Sequence, residues 1–190
     1  MSKPDPDGVF LRRDFLSPPE LAAVLAALDR LSGSWTPSEA LRALGRGRTD
    51  QVRSGDFVAN AALDQIRRVL APAALTWARA CGFKLPISPL IQMFPVRMIG
   101  DGETPAYQEP HHDTQGGRPH PPICTNVFYA KIDGIVGGGL AVTPEGRPDS
   151  PAPFVVAPAV NAMASFSGER VHWVQPLYAG ERLSIVVNFY

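Results

Sequence analysis

The chain has 190 residues, with 18 Lys+Arg against 18 Asp+Glu, a formal net charge of zero, and Arg at 15 of the 18 basic positions, a bias typical of a GC-rich bacterial genome. That length fits one domain, taken here as 1–190, long enough to bury a core; the balanced charge lacks the basic excess of a nucleic-acid binder, and no run approaches the ~18 apolar residues of a transmembrane helix, so neither a nucleic-acid nor a membrane partner is expected. The N-terminal MSKPDPDGVF has no apolar h-region, and Cys81 and Cys124 are too far apart for a CxxC metal site, so a reduced cytoplasmic setting is expected.

Val9 to Phe15 reads as a short opening strand. Ser17-Pro18-Pro19-Glu20 then forms a capping box with proline at the first helical position. Leu21, Val24, Leu25, Leu28 and Leu31 recur at helical spacing, which predicts a helix to about Leu31, ended by Gly33. Residues 32–59 read mostly as loop. Asn60 is placed to cap a second helix over 61–81, with Leu63, Ile66, Val69, Leu70 and Leu75 along one side, a kink at Pro72 and a C-terminal cap at Gly82. From Phe83 the pattern changes to short β-rich runs at 88–98, 105–114, 123–132, 138–143, 153–157, 161–166, 171–175 and 182–190, separated by Gly and Pro clusters. The 148–153 stretch reads as a surface loop. The predicted class is α+β, mainly β: a jelly roll or sandwich over about 83–190, supported by helices over about 17–82.

Three of the four histidines, His111, His112 and His120, fall within ten residues, beside Asp113. On a strand, residues i and i+2 share a face, so His111 and Asp113 project together and His112 points away. They offer a metal one imidazole and one carboxylate, and a third ligand must come from elsewhere. His120 and His172 remain, and His172 lies in a β-rich run that another strand of the same double sheet can bring back. Two His and one carboxylate on one face of an octahedron form the facial triad of non-haem Fe(II) oxygenases. Ten positions after His172, Arg182 opens a strongly apolar, β-branched strand, with Ser184 on the same face. A guanidinium in such a setting needs an anionic partner, either a bound carboxylate held with Ser184 or Glu181 at the strand's exposed start.

His111-x-Asp113, the distal His172 and the Arg182-x-Ser184 strand resemble the Fe(II)/2-oxoglutarate-dependent oxygenases, in particular their prolyl-hydroxylase-type branch. His172-Trp173-Val174-Gln175-Pro176-Leu177-Tyr178-Ala179 is similar to the segment after the distal histidine in prolyl hydroxylases that act on hypoxia-inducible transcription factors. Thr125 to Lys131 resembles the branch's strand ending in Tyr-Leu-Asn, and Gly137-Gly138-Gly139-Leu140 its Gly-Gly-x-Leu turn. Val52-Arg53-Ser54-Gly55-Asp56 bears a faint likeness to its Arg-Gly-Asp loop. The chain departs from the pattern at Ala130, Lys131 and Gly139 and carries one extra residue between His172 and Arg182, which weighs against protein-prolyl hydroxylation as its particular activity.

The resemblance implies a double-stranded β-helix (jelly-roll, cupin-like) core. It implies Fe(II) held by His111, Asp113 and His172, with 2-oxoglutarate and O2 as cosubstrates. Arg182 would pair with the distal carboxylate of 2-oxoglutarate, Tyr129 would offer its hydroxyl to the same group, and Ser184 would be a third partner. The implied activity is hydroxylation of an unactivated C–H bond, with succinate and CO2 as co-products. Since 190 residues leave little beyond the core fold and its supporting helices, a small-molecule substrate (an amino acid or natural-product intermediate) is expected ahead of a peptide. A non-catalytic metal- or ligand-binding jelly roll is the alternative of another class. Candidate pocket residues are Arg53 and Asp56, Gln92, Arg97 and Trp173. Arg97 stands in an apolar run that favours a paired guanidinium, its partner being a substrate carboxylate or a structural acid.

Overall fold

The computed structural model describes residues 8–37, 45–52, 57–113, 120–144, 146–147 and 152–190; Arg53, Asp56 and most of the 148–153 stretch lie outside the described residues. Strand β1 (Phe10–Arg12) is followed by helix α1 (Pro18–Asp29), whose start is fixed by Glu20: its carboxylate accepts from the Ser17 N–H at 2.9 Å and the Ser17 hydroxyl at 2.6 Å. Helix α2 runs Phe57–Ala80, so Asn60 lies inside it rather than at its cap. Pro72 is also internal, with its carbonyl accepting from the Thr76 hydroxyl. The buried stripe of α2 is Ala62, Ile66, Leu70, Ala74 and Ala78, one residue per turn, three of them alanines small enough to let the helix approach the sheet. No described helix is long and apolar enough to cross a membrane.

The strands are β2 (Trp35–Pro37), β3 (Gly45–Arg46), β4 (Arg48–Val52), β5 (Ile91–Gln108), β6 (Cys124–Gly137), β7 (Leu140–Val142), β8 (Phe154–Val156), β9 (Ala162–Phe166), β10 (His172–Val174) and β11 (Leu177–Phe189). The larger sheet has the order β1-β9-β6-β11-β5-β4-β2, with β3 pairing the far end of β5; the smaller has the order β10-β7-β8. Antiparallel pairing throughout and the two sheets give the expected jelly-roll-like architecture. Two expectations change. Residues 32–59, read mostly as loop, contribute β2, β3 and β4, short strands without apolar alternation, β4 lying between β5 and β2. The runs 88–98 and 105–114 are joined in one strand, β5. Gly100 there is not a turn residue: a Cβ would lie 2.6 Å from the Ala179 backbone nitrogen, where the β5–β11 register shifts. Glycine allows the two backbones to cross at that irregularity.

Alternation divides β11 between two faces. Leu183, Ile185, Val187 and Phe189 join Phe128 and the helices in one core. Arg182, Ser184, Val186 and Asn188 lie on the other face, in register with Met98, Val96, Phe94 and Gln92 of β5. Ser184, Val186 and Asn188 also oppose Tyr129, Val127 and Thr125 of β6. That second face looks toward the smaller sheet.

Asn161, at φ 58°, ties the segment before α1 to the sheet. Its amide brackets Leu16, accepting from the Leu16 N–H and donating to the Leu16 carbonyl, each at 2.9 Å. Its own backbone accepts from Phe15 and donates to Tyr129. Asn161→Ala leaves both buried Leu16 groups unpaired, at a cost of about 2–4 kcal/mol, measurable as a lower urea midpoint with an unchanged slope.

Candidate metal centre and its pocket

β5 ends at Gln108, and Glu109-Pro110 leads into His111, which forms a single antiparallel bridge with His172 through two backbone hydrogen bonds of 3.0 Å. The bridge places the imidazoles on one side, with ring centroids 4.6 Å apart. Asp113 was expected on the same strand as His111; it lies instead in irregular backbone just past the bridge, yet its carboxylate turns to the same point. His112 and His120 are exposed.

Both histidines are oriented by main-chain carbonyls. His111 Nδ1 lies 2.7 Å from the Glu109 oxygen and His172 Nδ1 3.1 Å from that of Arg170. A carbonyl only accepts, so each Nδ1 carries a proton and Nε2 is the ring nitrogen turned toward Asp113. Those Nε2 atoms lie 3.9 and 3.7 Å from Asp113 Oδ1. Both separations are below about 4.2 Å, twice a metal–ligand bond of about 2.1 Å, so one ion reaches each such pair. All three donor atoms fall within 4.8 Å of one another. The second carboxylate oxygen, Oδ2, accepts from Thr125 Oγ1 and Asn188 Nδ2, each at 3.2 Å.

Burial works to raise the Asp113 pKa, but His172, His111 and the Asn188 amide outweigh it and hold the carboxyl below its ordinary value. Burial, then the neighbouring His172, depress the His111 pKa, keeping its imidazole neutral at pH 7. An ionised carboxylate beside a neutral imidazole is the state a metal needs. The His-Asp-His donor set therefore fits Fe(II), which two imidazoles and one carboxylate would hold.

A narrow pocket runs from this triad to Arg182 and Ser184. Phe94, Val96 and Met98 of β5 and Leu140 and Val174 of the smaller sheet make its walls apolar. Arg182 is 2% exposed. Its Nε has no hydrogen-bond partner, Nη1 meets only the Met98 sulfur at 4.0 Å, and the guanidinium lies 5.1 Å from the centre of the Tyr129 ring. The Tyr129 hydroxyl is buried beside the Arg182 guanidinium, with no other polar partner. Burial lowers the Arg182 pKa and raises that of Tyr129. The polar ends of both side chains are thus left short of partners beside the pocket.

Other candidates lie elsewhere. Arg97 alternates with Val96 and Met98 onto the opposite face of β5, where Nη2 lies 3.4 Å from Glu181 Oε2; the structural acid, not the pocket, is its partner. Gln92 accepts from the Tyr190 hydroxyl, and Trp173 is half-buried outside the pocket lining. Sequence reasoning gave no site role to Thr125, Asn188 or Gln108, of which Thr125 and Gln108 line the pocket. A signal for Asn188 was present: it is a polar residue in phase with Arg182 and Ser184 on an otherwise apolar strand.

No family model matches the sequence, and no curated protein is similar to it. Solved structures are similar in fold. A Pseudomonas putida prolyl-4-hydroxylase superposes with a TM-score of 0.65 at 19% identity, covering 96% of this chain and 91% of that one. A Trichoplax adhaerens prolyl hydroxylase in complex with a hypoxia inducible factor peptide gives 0.66 at 17%, covering 97% and 84%. The non-heme alpha ketoglutarate dependent epimerase SnoN from nogalamycin biosynthesis gives 0.69 at 18%, covering 97% and 76%. At these identities the likeness carries the fold.

Proposed function

We propose that the chain, one domain over 1–190, is a cytoplasmic bacterial Fe(II)- and 2-oxoglutarate-dependent oxygenase that hydroxylates an unactivated C–H bond of a small molecule. One observation carries this reading: a His-Asp-His donor set and a buried, under-partnered arginine open into the same apolar pocket. His111, Asp113 and His172 would hold the metal. Arg182 would pair with the distal carboxylate of 2-oxoglutarate, with Tyr129 donating its buried hydroxyl and Ser184 standing beside them. When bound, iron would activate O2 as the oxidant with 2-oxoglutarate as co-reductant, one oxygen atom going to the hydroxylated product and the other to succinate as CO2 leaves. The protein orients the ligands, neutralises the distal carboxylate and keeps water from the apolar walls.

Similar folds include a hydroxylase crystallised with a peptide and an epimerase crystallised with nogalamycin RO. The second favours the small-molecule reading and the first supports peptide hydroxylation as the alternative. Anaerobic addition of Fe(II) and 2-oxoglutarate to the apo-protein is expected to produce a weak visible charge-transfer band, followed in air by succinate. Folded, iron-loaded protein with neither band nor succinate would favour a non-catalytic binding protein.

A further inference from the structure

Thr125 and Asn188 are direct cross-strand partners in the β6–β11 ladder, so their side chains leave the sheet on the same face. Both donate to one atom, Asp113 Oδ2, at 3.2 Å, while Oδ1 takes neither bond and faces His111 and His172. A carboxylate with both oxygens free can chelate a cation through two atoms. With Oδ2 engaged by two donors, one oxygen is left for the ion. We infer that Thr125 and Asn188 are positioning residues that fix Asp113 as a one-oxygen ligand and so preserve the open positions of the metal. This rests on the metal reading of the site proposed above.

The unused end of the Asn188 amide gives an independent argument. Asn188 is 1% exposed, and its Oδ1 is buried without a hydrogen-bond partner. An unpaired buried acceptor is costly. Turning the amide over would aim Oδ1 at the Asp113 carboxylate, acceptor against acceptor, so the carboxylate dictates which end remains unpaired. Packing alone would be better served by an apolar residue, as at Val186 on the same face. The asparagine fits a need to bind the carboxylate better than a need to fill space.

The test is anaerobic titration of the full-length apo-protein with Co(II), whose visible absorption reports both affinity and coordination number. Thr125→Val keeps the shape and removes the donor, Thr125→Ser restores a hydroxyl, and Asn188→Leu removes the amide. Thr125→Val and Asn188→Leu should each weaken Co(II) binding about 10–100-fold and change the absorption spectrum, with Thr125→Ser returning close to wild type. Asn188→Leu should retain the apo-protein melting temperature, since it also removes an unpaired acceptor. Wild-type affinity and spectrum in both donor-deleting variants would overturn the inference. So would equal weakening in Thr125→Ser and Thr125→Val, which would point to packing. Failure of wild-type protein to bind Co(II) would overturn the metal reading itself and this inference with it. Should Thr125→Val fail to fold, Asn188→Leu decides alone.

Discussion

His172→Ala is expected to abolish Fe(II) binding, and with it the 2-oxoglutarate charge-transfer band, in a protein that still folds. Loss of a residue that merely orients a ligand costs about 10–100-fold in metal affinity, and loss of a ligand costs more. His111 and Asp113 would remain as two donors with nothing replacing Nε2 on the third side. The structural cost is modest: the ring packs against Phe166 at 4.9 Å and against His111, and its Nδ1–H makes one hydrogen bond, so a loss of about 2 kcal/mol is expected. Trp173→Ala is the control. Trp173 is the next residue on β10, its side chain alternates away from the site, and that variant should bind iron normally. Fe(II) titration beside thermal melts distinguishes the two. Equal iron affinity in His172→Ala and wild type would end the triad assignment.

What could be read in advance was what repeats along the chain. The apolar spacing of Leu21 to Leu31 located α1, and the Gly- and Pro-punctuated runs after Phe83 located most strands of the jelly roll. What escaped was set by partners distant in sequence. The runs 88–98 and 105–114 read as separate because a glycine between them gives the same signal whether the chain reverses or another backbone crosses close by; the second requires knowing where Ala179 lies relative to Gly100. Strand β4 carries no apolar alternation and is a strand because β5 offers it an edge. Its Asp50 is held by Arg48 at 3.1 Å, a pairing of neighbours on one strand face.

The same division runs through the site. His111, Asp113, His172 and Arg182 were legible because their chemistry is in the side chain and their order along the chain is informative. Thr125 was not, because its role is created by register: only the pairing of β6 with β11 puts it opposite Asn188 and both under Asp113. Arg97 is the converse. Its apolar surroundings correctly announced a partner, but alternation along β5 decided which one, and the guanidinium went to Glu181 on the face away from the pocket. Lys131, where the resembled strand has asparagine, approaches the same Glu181 at 4.0 Å, so this departure extends a cross-strand charge ladder and leaves the triad untouched.

Arg182→Met should move two quantities in opposite directions: 2-oxoglutarate affinity falls by at least about 100-fold, while the ligand-free protein becomes more stable by about 1–3 kcal/mol. Both follow from the same geometry. The guanidinium is fully buried, forms no ion pair among the described residues, and has a thioether and the ring and neutral hydroxyl of Tyr129 for company. Replacing a buried charge that lacks its counter-ion with an apolar side chain of similar length removes a desolvation cost. Wild type accepts that cost in the resting state, and under the proposed function a dicarboxylate reaching the far end of the pocket would relieve it with charge-assisted bonds, the Tyr129 hydroxyl gaining an acceptor at the same time. Urea denaturation without ligand measures the gain in stability. The rise in melting temperature on adding 2-oxoglutarate with Mn(II) measures the loss of affinity, because ligand stabilisation scales with the logarithm of ligand concentration over its dissociation constant. Arg182→Lys should recover part of the affinity, having the charge without the planar fork. A ligand-free Arg182→Met protein less stable than wild type would mean that the guanidinium serves the fold, and the carboxylate subsite would have to be sought elsewhere in the pocket.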